Sequence, residues 1–197
     1  MKKHTAMLGM VFVGILAASR PSAAAATDIY MQVTAVPPIS GEVTARGYTS
    51  QIQLLSFSVS LDAPVTQGST GTGASAGRAT CGAIKLTKSV DKASPLLMRA
   101  VALGEVVQEA VVSFVDTTSQ AQGGGGAGRT MQRNDYTVTL TDVIFASFEQ
   151  SDTSPAELVE SVSLVPRSIS VHYVPYDARG VAGSPVDYSF DCTGKPA

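Results

Sequence analysis

Residues equipped for catalysis are scarce in this chain of 197 residues. It has two histidines, His4 and His172. Histidine is the usual general base and metal ligand near neutral pH, but a single one in the alternating run SISVHYVPY reads as a strand-face residue. Cys81 and Cys192 are the two cysteines, too few for a structural zinc site. Asp135, Asp142, Asp152, Asp187 and Asp191 are scattered, with no spacing that sets two carboxylates across a glycosidic bond. Serines abound, yet no Gly-x-Ser-x-Gly turn presents a nucleophile. Two glycine-rich stretches, 62–79 (DAPVTQGSTGTGASAGRA) and 119–130 (SQAQGGGGAGRT), lack the Gly-x-x-x-x-Gly-Lys-Ser/Thr pattern that cradles phosphate. Tyr173 and Tyr176 suit a sugar face or a sheet edge equally. No catalytic residue, cofactor or metal ion is expected.

The elements that would have to position any site begin after a leader. MKKHTAMLGMVFVGILAASRPSAAAA combines Lys2 and Lys3, an apolar run from Met7 to Ala18, and small residues from Ser22 to Ala26. That is the layout of a secretory signal peptide over residues 1–26, with an apolar run too short for a comfortable membrane span. Cleavage at Ala26 leaves 171 residues, one domain (27–197) large enough for a real core. It also removes Lys2, Lys3 and Arg20, leaving 11 basic against 16 acidic residues, a formal charge of −5. Such a surface attracts neither nucleic acid nor acidic membranes, and the processed chain keeps no segment for stable membrane insertion. An even cysteine pair in an exported chain suggests a Cys81–Cys192 disulfide. Chain-entropy reasoning gives such a long loop about 4–5 kcal/mol.

From Asp28 onward the pattern is mostly period two. Ile29, Met31 and Val33 alternate with Tyr30 and Gln32. In QIQLLSFSVSL, Leu55, Phe57, Val59 and Leu61 point one way, and Ser56, Ser58 and Ser60 the other. Further strands are expected around Ile84 and Leu86, over 105–116, from Tyr136 to Phe148, from Leu158 to Val174, and in VDYSFDC. The phase changes between Leu140 and Val143, which predicts a bulge or bend. Seven or eight strands with so little helix must close into a barrel or stack as a sandwich.

One helix interrupts them, in KSVDKASPLLMRAVALG. Ser94 is a good N-cap and Pro95 suits the first helical position, where no amide hydrogen is needed. Leu96, Leu97, Ala100, Val101 and Leu103 form a broad apolar stripe for docking, and Gly104 is a natural terminator. Three turns are too few to persist alone. Lys88, Asp91, Lys92 and Arg99 read as capping, surface and interprotomer groups.

LTKSVDKASPLLMRAVALGE resembles the helix segment of the Hcp tube protein of type VI secretion systems, with its Thr-Lys-x-x-Asp-Lys-x-Ser-Pro-x-Leu pattern kept at Thr87, Lys88, Asp91, Lys92, Ser94, Pro95 and Leu97. ATDIYMQVTAV, IQLLSFSVSL, AGRATCGAIKLTK, YTVTLTDVIFASFEQS and ESVSLVPRSISVHYVPYDARG resemble other family segments, in the family's order, from about Ala26 to Asp191. The resemblance implies an all-β fold: a closed β-barrel of two packed, mainly antiparallel sheets with one short flanking α-helix. It implies a non-enzymatic subunit that forms a homo-oligomer, a hexameric ring stacking into a tube, with secretion-system or effector partners. It would place Cys81 on the strand before the helix and Cys192 at the end of the last strand, where the two can be neighbours. The leader, the cysteine pair and the polyglycine run depart from the family pattern. The first two point to an Hcp-like barrel exported to the periplasm or beyond. A monomeric secreted binding module is the alternative reading, and a cell-envelope hydrolase the third.

Overall fold

The computed structural model describes residues 26–66, 73–120, 129–154, 157–177 and 181–193. Residues 1–25 of the leader (with His4), the middle of the first glycine-rich stretch (67–72) and the polyglycine run (121–128) lie outside the described residues. Alternation shapes the first strand, β1 (Ala26–Thr34), which buries Met31 and Val33 on one face. Segment 35–51 folds over the other face, where Tyr48 stacks on Tyr30 with ring centroids 4.9 Å apart. Gly41 is needed in this cover, because a Cβ there would run into the backbone of Gln51 and Ile52.

β2 (Ile52–Leu54) pairs with β1, and Ile52 and Leu54 face the core. One residue later the chain changes partners. The Leu55 N–H donates to the Thr87 carbonyl at 2.8 Å, and β3 (Ser56–Ser58) pairs with residues 85–87. β4 (Leu61–Asp62), β5 (Val65–Thr66), β6 (Ser75–Ala76) and β7 (Thr80–Cys81) then form two short ladders, β4 with β7 and β5 with β6. This ribbon leads back into β8 (Ile84–Ser89). The alternation read over 55–61 fails here. Phe57 is half-buried against the core, but Leu55, Val59 and Leu61 are exposed, because the strand switches neighbours at Leu55 and then leaves the barrel for the ribbon.

The helix α1 (Ser94–Leu103) follows, then the long strands β9 (Val106–Gln120), β10 (Arg129–Ser154) and β11 (Glu157–Tyr173), and finally β12 (Val186–Asp191). The pairing order is β2-β1-β9-β10-β11-β8-β3, antiparallel throughout. Since β2 and β3 are separated only by Leu55, the path returns to its start and the sheet closes as a barrel. β10 and β11 are long because each serves both sides of it. They pair with each other over residues 136–154 and 157–173, while residues 129–144 of β10 also lie on β9 and residues 159–164 of β11 hold β8. The register shift between Phe145 and Ser147 and the positive φ of Asp142 mark the bend, close to where the sequence changes phase; bulges turn such corners. The all-β barrel with one short helix is thus the observed fold.

The core runs through Met31, Ile52, Ile84, Leu86, Val112, Leu140, Phe145 and Leu164, and α1 adds Leu97 and Ala100 to it. Leu96 and Val101 flank this contact, half-buried. Leu103 does not dock; it is 67% exposed. With ~100° between successive helical residues, Leu103 lies farther from the line set by Leu97 and Ala100 than Leu96 or Val101 do. The helix start also differs from the expectation. Ser94 is the first helical residue rather than the N-cap, Ala93 takes the cap position without a side-chain bond, and Pro95 falls within the first turn. Asp91 orders this entry instead, accepting the Ala93 N–H at 2.9 Å. Gly104 ends the helix in the left-handed region at φ 60°, and the Glu105 N–H reaches back to the Ala100 carbonyl at 2.9 Å. Leu97→Ala should therefore cost about 2–5 kcal/mol by leaving a cavity, whereas Leu103→Ala should stay within ~0.5 kcal/mol of wild type; urea titrations of the two variants make the comparison.

Candidate functional site

The sequence-flagged residues do not converge. His172 lies exposed on β11, opposite its register partner Asp187 on β12, with Nδ1 2.6 Å from Oδ1. Asp142 pairs with Arg167 at 2.8 Å. Asp135 holds Arg133, whose guanidinium also lies 3.6 Å from Asp116 and 4.5 Å from the centroid of Tyr176. The hydrogen bond that Arg133 donates to Asp135 holds the guanidinium above its ordinary pKa. Tyr173 pairs with Val186 at the barrel edge. Among the described residues no group of three or more His, Cys, Asp or Glu side chains is arranged to hold a metal ion. A cavity of about 500 Å³ is lined by Tyr30, Glu42, Thr44, Gln53, Leu55 and Asp91, but the Asp91 carboxylate is already engaged by Lys88 and the Ala93 N–H.

The densest polar arrangement lies beside that cavity, inside the barrel wall. Lys88 and Glu160 are both 0% exposed. They are direct register partners on β8 and β11, and Lys88 Nζ is 2.7 Å from Glu160 Oε2. Lys88 does not act as a surface group, because it continues the inward set Ile84, Leu86, Lys88, just as Glu160 belongs with Val162 and Leu164. The ammonium has three hydrogens and four near acceptors: the Ser89 carbonyl at 2.8 Å, Ser94 Oγ at 3.0 Å, Glu160 and Asp91 Oδ1 at 2.8 Å. Ser94 Oγ donates to Glu160 at 2.8 Å and accepts the Asp91 N–H at 3.1 Å. Gln150 Nε2 donates to the second Glu160 oxygen at 2.8 Å. Gln150 is itself the register partner of Glu160 on β10, so one polar row crosses three strands and ends at the start of α1.

A lysine 3.0 Å from a serine oxygen has the spacing of an activated nucleophile. Here the serine hydrogen is committed to Glu160, Ser94 is 3% exposed and Lys88 is fully buried, so no substrate atom can approach. The arrangement is a clamp. It ties the helix start to two strands and satisfies charges that would be costly alone. Lys92 is exposed beside it, and Arg99 pairs with Glu105 at 3.0 Å.

A protein family described as the type VI secretion system effector Hcp matches residues 30–173. Solved structures share the fold at low identity. One, titled as a structure of a type six secretion system protein, is 22% identical, covers 86% of this chain and 99% of its own, and has a TM-score of 0.71. Hcp1 from Salmonella typhimurium is 19% identical over 85% of this chain and 96% of its own, with a TM-score of 0.62. Hcp1 from the E. coli EAEC 042 pathovar is 17% identical over 84% and 98%, with a TM-score of 0.60. No curated protein sequence matches. Removing half of the clamp should be far worse than removing all of it. Lys88→Met should cost about 3–5 kcal/mol by stranding Glu160, and the Lys88→Met/Glu160→Met pair should recover part of that loss, read as denaturation midpoints.

Proposed function

Because the chain belongs to the Hcp family of type VI secretion systems, we propose that it is a non-enzymatic, tube-like structural protein that works by self-association into a hexameric ring. The observation that carries this reading is the extent of the family match, which takes in the closed sheet from Tyr30 in β1 to the end of β11, the helix and the Lys88–Glu160 clamp. The outer surface supports it. Ile144 is the register partner of both Val106 and Val165, and all three are exposed. They form an apolar row across β9, β10 and β11 of the kind that marks contact surfaces, and ring symmetry repeats such a contact at each junction. The leader supports export, with cleavage at Ala26 placing the mature amino terminus at the start of β1. The mature barrel then acts in the periplasm or beyond, with secretion-system or effector partners.

The oxidised mature protein should show a solution mass about six times that of the protomer across a concentration series, and ring-shaped particles in negative stain. A strict monomer at high concentration would overturn the ring and favour a monomeric binding module. Ile144→Lys should lower the mass toward the protomer while leaving stability within ~0.5 kcal/mol. Amino-terminal sequencing of the exported protein should begin at Ala26 or Thr27, and an intact Met1 would overturn the export reading.

A further inference from the structure

The disulfide between Cys81 and Cys192 joins two places in the sheet that the barrel path leaves apart. β10 runs along one whole edge of β11. The opposite edge is shared end to end: β8 holds residues 159–164 and β12 holds 168–173. Cys81 lies just before β8 and Cys192 just after β12, with their Cα atoms 5.2 Å apart. The bond therefore closes the butt joint between two strands that have no ladder to each other.

β12 is bound weakly apart from this bond. It stands off the closed path, and among the described residues its ladder is to β11 alone. No residue of the buried core comes from Val186–Asp191, and Val186 and Tyr188 are exposed. Two of its side-chain ties, His172 to Asp187 and Ser170 to Ser189 at 2.9 Å, are solvent-facing, where such contacts contribute little. At one end the ladder is extended by a bridge between Tyr176 and Ala182. Its other end, Ser168 opposite Asp191, is where an edge strand frays, and there the Cys192 N–H donates to the Arg167 carbonyl at 2.8 Å beside the disulfide.

We infer that Cys81–Cys192 is a redox-sensitive clasp: formed, it seats β12 along β11, and reduced, it releases β12 while the barrel stays folded. Both cysteines are half-buried at the margin of the core, next to the end of the ladder that frays. Reduction by a thiol reductant breaks the S–S bond with two electrons and two protons, leaving Cys81 and Cys192 as thiols and the reductant as its own disulfide. The clasp rests on the barrel alone and holds for a monomer as for a ring.

Hydrogen exchange read by peptide mass spectrometry tests it on the oxidised mature protein, the same protein in excess dithiothreitol, and a Cys81→Ser/Cys192→Ser variant without reductant. On reduction, and in the variant, peptides covering 186–191 should exchange at least about tenfold faster than in the oxidised protein. Peptides covering 107–115 and 138–145 should stay protected over the same minutes. Unchanged protection of β12 on reduction would overturn the clasp. So would exchange that rises together in β9, β10 and β12, because the bond would then be a staple of the whole fold. A serine variant that behaved like the oxidised protein would overturn it as well.

Discussion

A lysine ammonium with no exposure to water sets the terms for one end of this barrel. Lys88 survives there only because Glu160, Asp91, Ser94 and the Ser89 carbonyl surround it. Each partner comes from a different piece of the fold: a facing strand, the strand-to-helix turn, the first helical residue and the lysine's own strand. The charge is tolerated only if all of them arrive together, so the pairing of β8 with β11 and the start of α1 depend on each other. An apolar core is indifferent to small slips of register. A buried ion pair with a third and fourth partner is not, since a slip of one residue on β8 would turn the ammonium to the other face of the sheet.

Closure follows from economy of strands. Two long strands bend from one side of the barrel to the other, and one short stretch, 52–58, changes neighbours through a single residue. The bend needs the bulge after Phe145, and the exchange of neighbours needs Leu55 to leave the alternation. Irregularities in the pattern are therefore where the sheet turns.

Much of this architecture is legible in the sequence, and the exceptions share a cause. The phase change near Val143 announces the bend, Gly104 announces the end of the helix, and the even cysteine pair announces the bond. What misleads is judging a side chain by its type rather than by its position. Lys88 and Glu160 belong to the surface by type, yet parity with Ile84 and Leu86, and with Val162 and Leu164, turns both inward. Leu103, Val59 and Leu61 belong to the core by type. The first sits at the margin of the helix stripe, and the other two lie where the chain has left the barrel, with no layer beneath them. Register partners across strands are not encoded within either strand, so the polar row could not be read from local pattern.

The change of neighbours at Leu55 also has a mechanical meaning. A sheet with two open edges can be unzipped one hydrogen bond at a time from either side. Here unzipping can start only at the short β2 and β3 or at β12, because β1, β9, β10, β11 and β8 each have a neighbour on both sides. Pulling on one of them loads many bonds at once, in shear, and the load passes around the circumference like tension in a hoop.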